Sequence, residues 1–189
     1  MRKYAVLFVL VLSSCVGTSR PPTNQENACA ILEQRPGWLR DMQKAQRDWG
    51  VPVAVQMATI WKESSFRGNA KTRRTYFLGI IPTGRISSAE GYAQAIDGTW
   101  DWYKKETGNR RAKRSDFGDS VDFIGWYMNG SYEKLGIARS DAYNQYLAYH
   151  QGQAGYRNGS YRGKDWLLGV AREVEAMALR YDIQLQSCT

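Results

Sequence analysis

Apolar residues in this chain recur mostly at three- and four-residue steps, which predicts a mainly α protein. From Pro36 to about Trp49, the residues Trp38, Leu39, Met42, Ala45 and Trp49 form one helical stripe. Pro36 suits the first turn, where its missing N–H costs nothing, and Gly50 is a natural stop. Pro52 starts a second helix with Val53, Met57, Ile60 and Trp61 on one face. Residues 67–90 break the pattern. Tyr76–Ile81 reads as a short strand and Pro82-Thr83-Gly84 as a turn, so a small β-hairpin is expected here. Asp97 then caps a helix running to about Glu106 and ended by Gly108. Ser115 caps a helix striped by Phe117, Val121, Ile124 and Met128, which stops at the turn signal Asn129-Gly130. Ser140 caps a helix through Tyr143, Leu147 and Ala148 to Gly152. A Gly- and Tyr-rich loop leads to a last helix from about Lys164 to Tyr181. The expected architecture is one domain of about six helices, with an irregular or β-like excursion after the second.

One stretch organises the chemistry: Ile60-Trp61-Lys62-Glu63-Ser64-Ser65-Phe66. Glu63 sits where a helix gives way to a polar, basic loop, and it borders the buried face. Trp61 and Phe66 flank it. A carboxylate among aromatic rings is poorly hydrated, so its neutral form is favoured and its pKa rises. That makes a general acid able to hold its proton near neutral pH. The competing reading is a solvated surface glutamate.

The 189 residues carry a net charge of +8 and include seven Trp and twelve Tyr. Such rings suit stacking on sugars or bases as well as core packing. Residues 1–14 read as a signal peptide: Arg2 and Lys3 form the charged start, and Ala5–Leu12 is an apolar run too short to span a bilayer. Removal of Arg2 and Lys3 lowers the charge by two, to +6. Leu12-Ser13-Ser14-Cys15 resembles the lipobox of bacterial lipoproteins, which implies lipidation of Cys15. Residues 15–27 then read as a flexible tether, and 28–189 as the folded domain. No Asp follows Cys15, so outer-membrane sorting and a periplasmic location are the expectation. Cys29 and Cys188 remain. In an oxidising compartment two spare cysteines tend to pair, stapling both ends of the domain. The chain-entropy model values such a closure at about 5 kcal/mol. Two free buried thiols are the alternative.

Three short motifs extend the reading: Glu63-Ser64, Gly91-Tyr92-Ala93-Gln94 and Ala148-Tyr149-His150-Gln151-Gly152. In this order they resemble the motifs of the soluble-type (SLT) lytic transglycosylases, over roughly residues 36–160. Two motifs depart from the family pattern. Tyr92-Ala93 stands for Leu-Met, and His150 for Asn. The interval from Glu63 to Gly91 is also longer than usual. The resemblance implies a lysozyme-like fold and cleavage of the β-1,4 bond between N-acetylmuramic acid and N-acetylglucosamine in peptidoglycan. Glu63 would act first as acid and then as base, closing a 1,6-anhydro ring. It further implies that Ser64 bonds near the scissile sugar and that Gln94 orients Glu63 or an N-acetyl group. Tyr149 would lie close to Glu63 with a hydroxyl able to donate, and Tyr92 and His150 would join the substrate contacts. Structural readings stand beside these: Ser64 as a helix end, Gln94 as a turn brace, Tyr149 as core, and His150 as an incidental lone histidine.

Two other functions stay open. A hydrolysing muramidase needs a second carboxylate, for which Asp97 and Asp101 are the nearest candidates after the second motif. A cell-wall-binding lipoprotein with a degenerate site fits the altered motifs. The expected partners are peptidoglycan strands and, through the lipid, a membrane; the protein is expected to be a monomer. Export argues against nucleic acid despite the basic charge. The basic stretches 71–74 and 109–114 would meet anionic wall stems or lipid headgroups. With one His and no ligand-spaced cysteines, neither a metal nor a cofactor is expected.

Overall fold

The computed structural model describes residues 20–78 and 80–188. The signal segment 1–14, Cys15 and residues 16–19 lie outside the described residues. Among the described residues, seven helices and one hairpin follow in order: α1 (Ala28–Gln34), α2 (Pro36–Trp49), α3 (Val53–Ser64), β1 (Arg74–Phe77), β2 (Ile81–Arg85), α4 (Asp97–Thr107), α5 (Phe117–Leu135), α6 (Ala142–Arg157) and α7 (Asp165–Cys188). α2 and α6 pack on α5, while α3 and α6 pack on α7. α3 is buried from Val53 to Ile60 with no polar face to spare, as befits a helix enclosed by its neighbours. Its one long polar side chain there, Gln56, donates to the carbonyls of Met42 and Val51.

Several boundaries differ from the pattern reading, each for a local reason. α1 has only Ala28, Ile31 and Leu32 to bury, too short a stripe to stand out. Asn27 caps it at 2.9 Å and docking on α7 supplies the rest. The strands of the hairpin end at Phe77 and begin again at Ile81, with Leu78 left-handed at φ 50. Pro82-Thr83-Gly84 lies inside β2 instead of forming the turn. A two-stranded sheet has only edges, where proline is tolerated. Asp97 is the first residue of α4 but makes no cap bond. Asp116 and Asp141, not Ser115 and Ser140, cap α5 and α6. Asn129-Gly130 lies within α5, whose buried stripe continues to Ser131. α6 continues to Arg157 through a bend at Gly152 (φ 75, ψ 153), a conformation open chiefly to glycine.

Both ends of the domain meet. The Cys29–Cys188 disulfide forms, with Cα atoms 5.7 Å apart, and α7 runs past Tyr181 to reach it. Residues 20–27, read as the end of a tether, are pinned to the helices. Ala28 N–H donates to Gln184 at 2.7 Å, Gln184 donates to the Glu26 carbonyl, and Tyr181 donates to the Gln25 carbonyl.

Candidate active site

The end of α3 is held in a conformation that most residues avoid. Ser65 and Phe66 both have positive φ, 50 and 56, a strain of order 1–3 kcal/mol each. Burial offsets it. Phe66 is fully enclosed, stacked on Trp38 at 5.7 Å, and Trp38 in turn stacks on Phe117 at 3.8 Å. Gln25 donates to the Ser65 carbonyl at 3.1 Å. The reversal stops the helix directly after Glu63-Ser64. Phe66 thus anchors the helix end within the core.

Glu63 lines a groove of about 500 Å³. Its walls come from α5 (Phe123, Tyr127), α6 (Tyr149, His150) and the segment around the hairpin base (Thr72, Ser87). Gln94 adds a polar edge. Burial pushes the Glu63 carboxyl up to about 7 from an ordinary 4.5. A hydrogen bond from Tyr146 and the nearby Lys62 cation pull the other way without cancelling it. Lys62 is itself held by Glu173 of α7 at 2.5 Å. The expected desolvation is present, but Phe66 is turned into the core, and the hydrogen-bonding aromatic partner is Tyr146.

The third motif lies on α6, where residues three and four apart share a face. Tyr146, Tyr149 and His150 therefore face one way. Tyr149 does not donate to Glu63: its hydroxyl is committed to the Ala93 carbonyl at 2.6 Å. Tyr146 is the tyrosine that reaches Glu63. Burial raises the pKa of both phenols, so both remain donors. Sequence reasoning missed Tyr146, and the only signal for it is its position one helical turn before Tyr149. His150 sits at the groove rim with its ring against Trp166 at 5.3 Å and its Nδ1 2.8 Å from Gln151. Partial burial and Lys164 lower its pKa, which favours the neutral ring.

The second motif is a tight turn wedged under the groove. A side chain at Gly91 (φ 81) would put a Cβ 1.9 Å from the Arg114 carbonyl oxygen, so only glycine fits. Gln94, itself at φ 47, donates its amide to the carbonyls of Gly91 (2.9 Å) and Ala70 (3.2 Å). That leaves its side-chain oxygen for the groove. Two predicted contacts are corrected. Tyr92 is 7% exposed and packs edge-on against Trp38 and Phe117, away from the groove. Ser64 is 2% exposed, and its hydroxyl donates to the Ile60 carbonyl one turn back. Asp97 is paired with Arg114 at 2.6 Å and Asp101 with Lys104 at 2.8 Å; neither lines the groove.

A buried carboxyl at the end of a helix thus opens on a groove that the second motif reaches through Gln94 and the third through Tyr149, His150, Gln151 and Gly152. The sequence matches the profile of the transglycosylase SLT domain over residues 3–188. The chain belongs to this family. No curated protein matches it. The SLT domain accounts for the helical, lysozyme-like fold with its small hairpin. It makes the protein a lytic transglycosylase, a lyase that binds and cleaves peptidoglycan glycan strands.

Proposed function

We propose that the SLT domain cleaves the N-acetylmuramic acid–β-1,4–N-acetylglucosamine bond through Glu63 alone. The observation that carries this reading is the groove's chemistry: among the described residues lining it, Glu63 is the only carboxylate. Two-carboxylate hydrolysis needs a partner to activate water, and Asp97 and Asp101 are engaged elsewhere.

Glu63 begins protonated and gives its proton to the glycosidic oxygen as the C1–O bond breaks. The resulting carboxylate takes the proton from the muramic acid C6 hydroxyl. That oxygen bonds to C1 and closes the 1,6-anhydro ring. One proton is given and one regained, and no water enters. A carboxyl with a pKa near 7 can serve both half-steps at neutral pH. Tyr146 supports the ionised form by its hydrogen bond. Gln94 is assigned to an N-acetyl group, Tyr149 to bracing the Gly91–Gln94 turn, and His150 to the groove rim. In the same reading the protein is exported, lipidated at Cys15 and held in the periplasm at the outer membrane; the Leu12-Ser13-Ser14-Cys15 sequence supports this. A mature protein whose mass carries no acyl chains, or acyl chains that persist in Cys15→Ser, would remove the anchor from the account.

The test is a digest of purified peptidoglycan, read by mass spectrometry, with Glu63→Gln alongside. Anhydro-ended products from the wild type and none from Glu63→Gln are expected. Products one water heavier would mean hydrolysis, and binding without products would mean a wall-binding module.

A further inference from the structure

The hairpin is built in a way that water alone does not favour. Its turn and flanks expose large aliphatic side chains: Leu78 (77%), Ile80 (77%), Ile81 (53%) and Ile86 (69%). Clustered exposure of this kind marks an interaction surface rather than chance. The charge around it has one sign. From Ser64 to Ala89 the sequence carries Arg67, Lys71, Arg73, Arg74 and Arg85 and not one Asp or Glu. Arg74 and Arg85 are direct cross-strand partners. Like charges placed opposite each other weaken a sheet in water, and a short two-stranded hairpin has little stability to lose. An anionic counter-surface turns that repulsion into attraction. Arg73, Arg74 and Arg85 are exposed and have no carboxylate partner among the described residues.

We propose that this hairpin is a membrane-contact element: its aliphatic tip enters the headgroup region of an anionic bilayer while the arginines behind it meet lipid phosphates. Aliphatic tip and cationic collar match the two layers met on entering such a surface, apolar beneath charged. A glycan strand offers no apolar surface of that kind. The hairpin base is tied to the groove. Lys71 bridges Glu90 at 2.9 Å, Glu90 precedes the Gly91–Gln94 turn, and Thr72 and Ser87 line the groove itself. Seating the tip on a membrane would therefore fix the groove's height and orientation above it, so that strands lying close to the bilayer are the ones presented to Glu63. The contact is independent of any lipid on Cys15 and of the role of Glu63.

The experiment uses the full chain carrying Cys15→Ser, so that no acyl chain contributes, in co-sedimentation with phosphatidylglycerol-containing and pure phosphatidylcholine vesicles. The parent should bind the anionic vesicles and release as salt rises. Leu78→Ser/Ile80→Ser, and separately Arg73→Gln/Arg74→Gln, should each weaken that binding at least about tenfold, with circular dichroism and digestion of soluble wall fragments unchanged. Equal binding by parent and both variants would overturn the proposal. So would equal binding to both vesicle types, or a loss confined to retention on sacculi. If the hairpin variants change the sedimentation of the protein alone, the tip joins two copies instead, and the membrane assignment falls.

Discussion

Tyr149 on α6 donates its hydroxyl to the carbonyl of Ala93 at 2.6 Å, joining two motifs that lie far apart in the sequence. The bond is enclosed by Phe123 and Tyr127, whose rings meet Tyr149 edge-on at 6.3 and 5.3 Å. It sets the position of the Gly91–Gln94 turn against the groove wall. Tyr149→Phe should cost about 1–3 kcal/mol, because a buried carbonyl loses its donor. Urea unfolding would measure this. The turn should also loosen, raising KM more than it lowers kcat.

Tyr146 bonds the Glu63 carboxyl and opposes the rise in its pKa. Without that hydroxyl the carboxyl should hold its proton to still higher pH. Tyr146→Phe is therefore expected to move the alkaline limb of the pH–rate profile upward from about 7. The maximal rate should fall about tenfold, since a hydrogen bond to a charged group is worth about 1.5–3 kcal/mol. A lower rate with an unmoved profile would mean that Tyr146 only packs.

Glu63 also predicts a dependence of stability on pH. Its folded pKa, about 7, lies above the ordinary 4.5. The folded state therefore binds the proton more tightly, and stability present below 4.5 is lost as pH rises to about 7. Glu63→Gln cannot ionise. It should match the parent below this window and exceed it above, by on the order of 2 kcal/mol after allowance for solvent at the groove. Denaturant melts on both proteins at acidic and mildly alkaline pH would show the difference opening. A constant difference would place the carboxyl in water.

Cys29–Cys188 closes a loop with a sequence separation of 159. Reduction, or Cys188→Ser, should cost about 3–5 kcal/mol. Thermal melts with and without reductant measure it, and thiol titration of the oxidised protein should find neither cysteine free. The loss should be greatest at α1, whose few buried residues depend on α7.

The sequence was most legible where the pattern was long. α2 was readable to its ends, because its stripe, its leading proline and its closing glycine agree. α1 was not, because seven residues with three buried side chains give no periodic signal. Caps were misplaced by one residue at Ser115 and Ser140, since neighbouring aspartates supply the same oxygen and backbone angles decide between them. The hairpin was expected, but its turn was not located: Leu78 holds a left-handed angle there without being glycine.

Taken alone, the sequence determined a mainly helical domain and a glutamate at the end of its second long helix. The helices follow from spacing, which is written in the chain. Export suggested that the two spare cysteines pair, and three short motifs carried a resemblance to the SLT domain. Only the tertiary structure decided what surrounds the carboxyl. Ser64 and Tyr92 are motif residues yet point into the protein, while Tyr146, outside every motif, reaches Glu63. On a helix each residue turns about 100° from the last, so adjacency in sequence sends side chains to different surroundings. In the strained bend at Ser65 and Phe66, direction is set by where the Trp38–Phe117 stack can receive a ring. A pKa near 7 is likewise a property of the assembled groove, because burial is supplied by helices that meet only when the chain is folded.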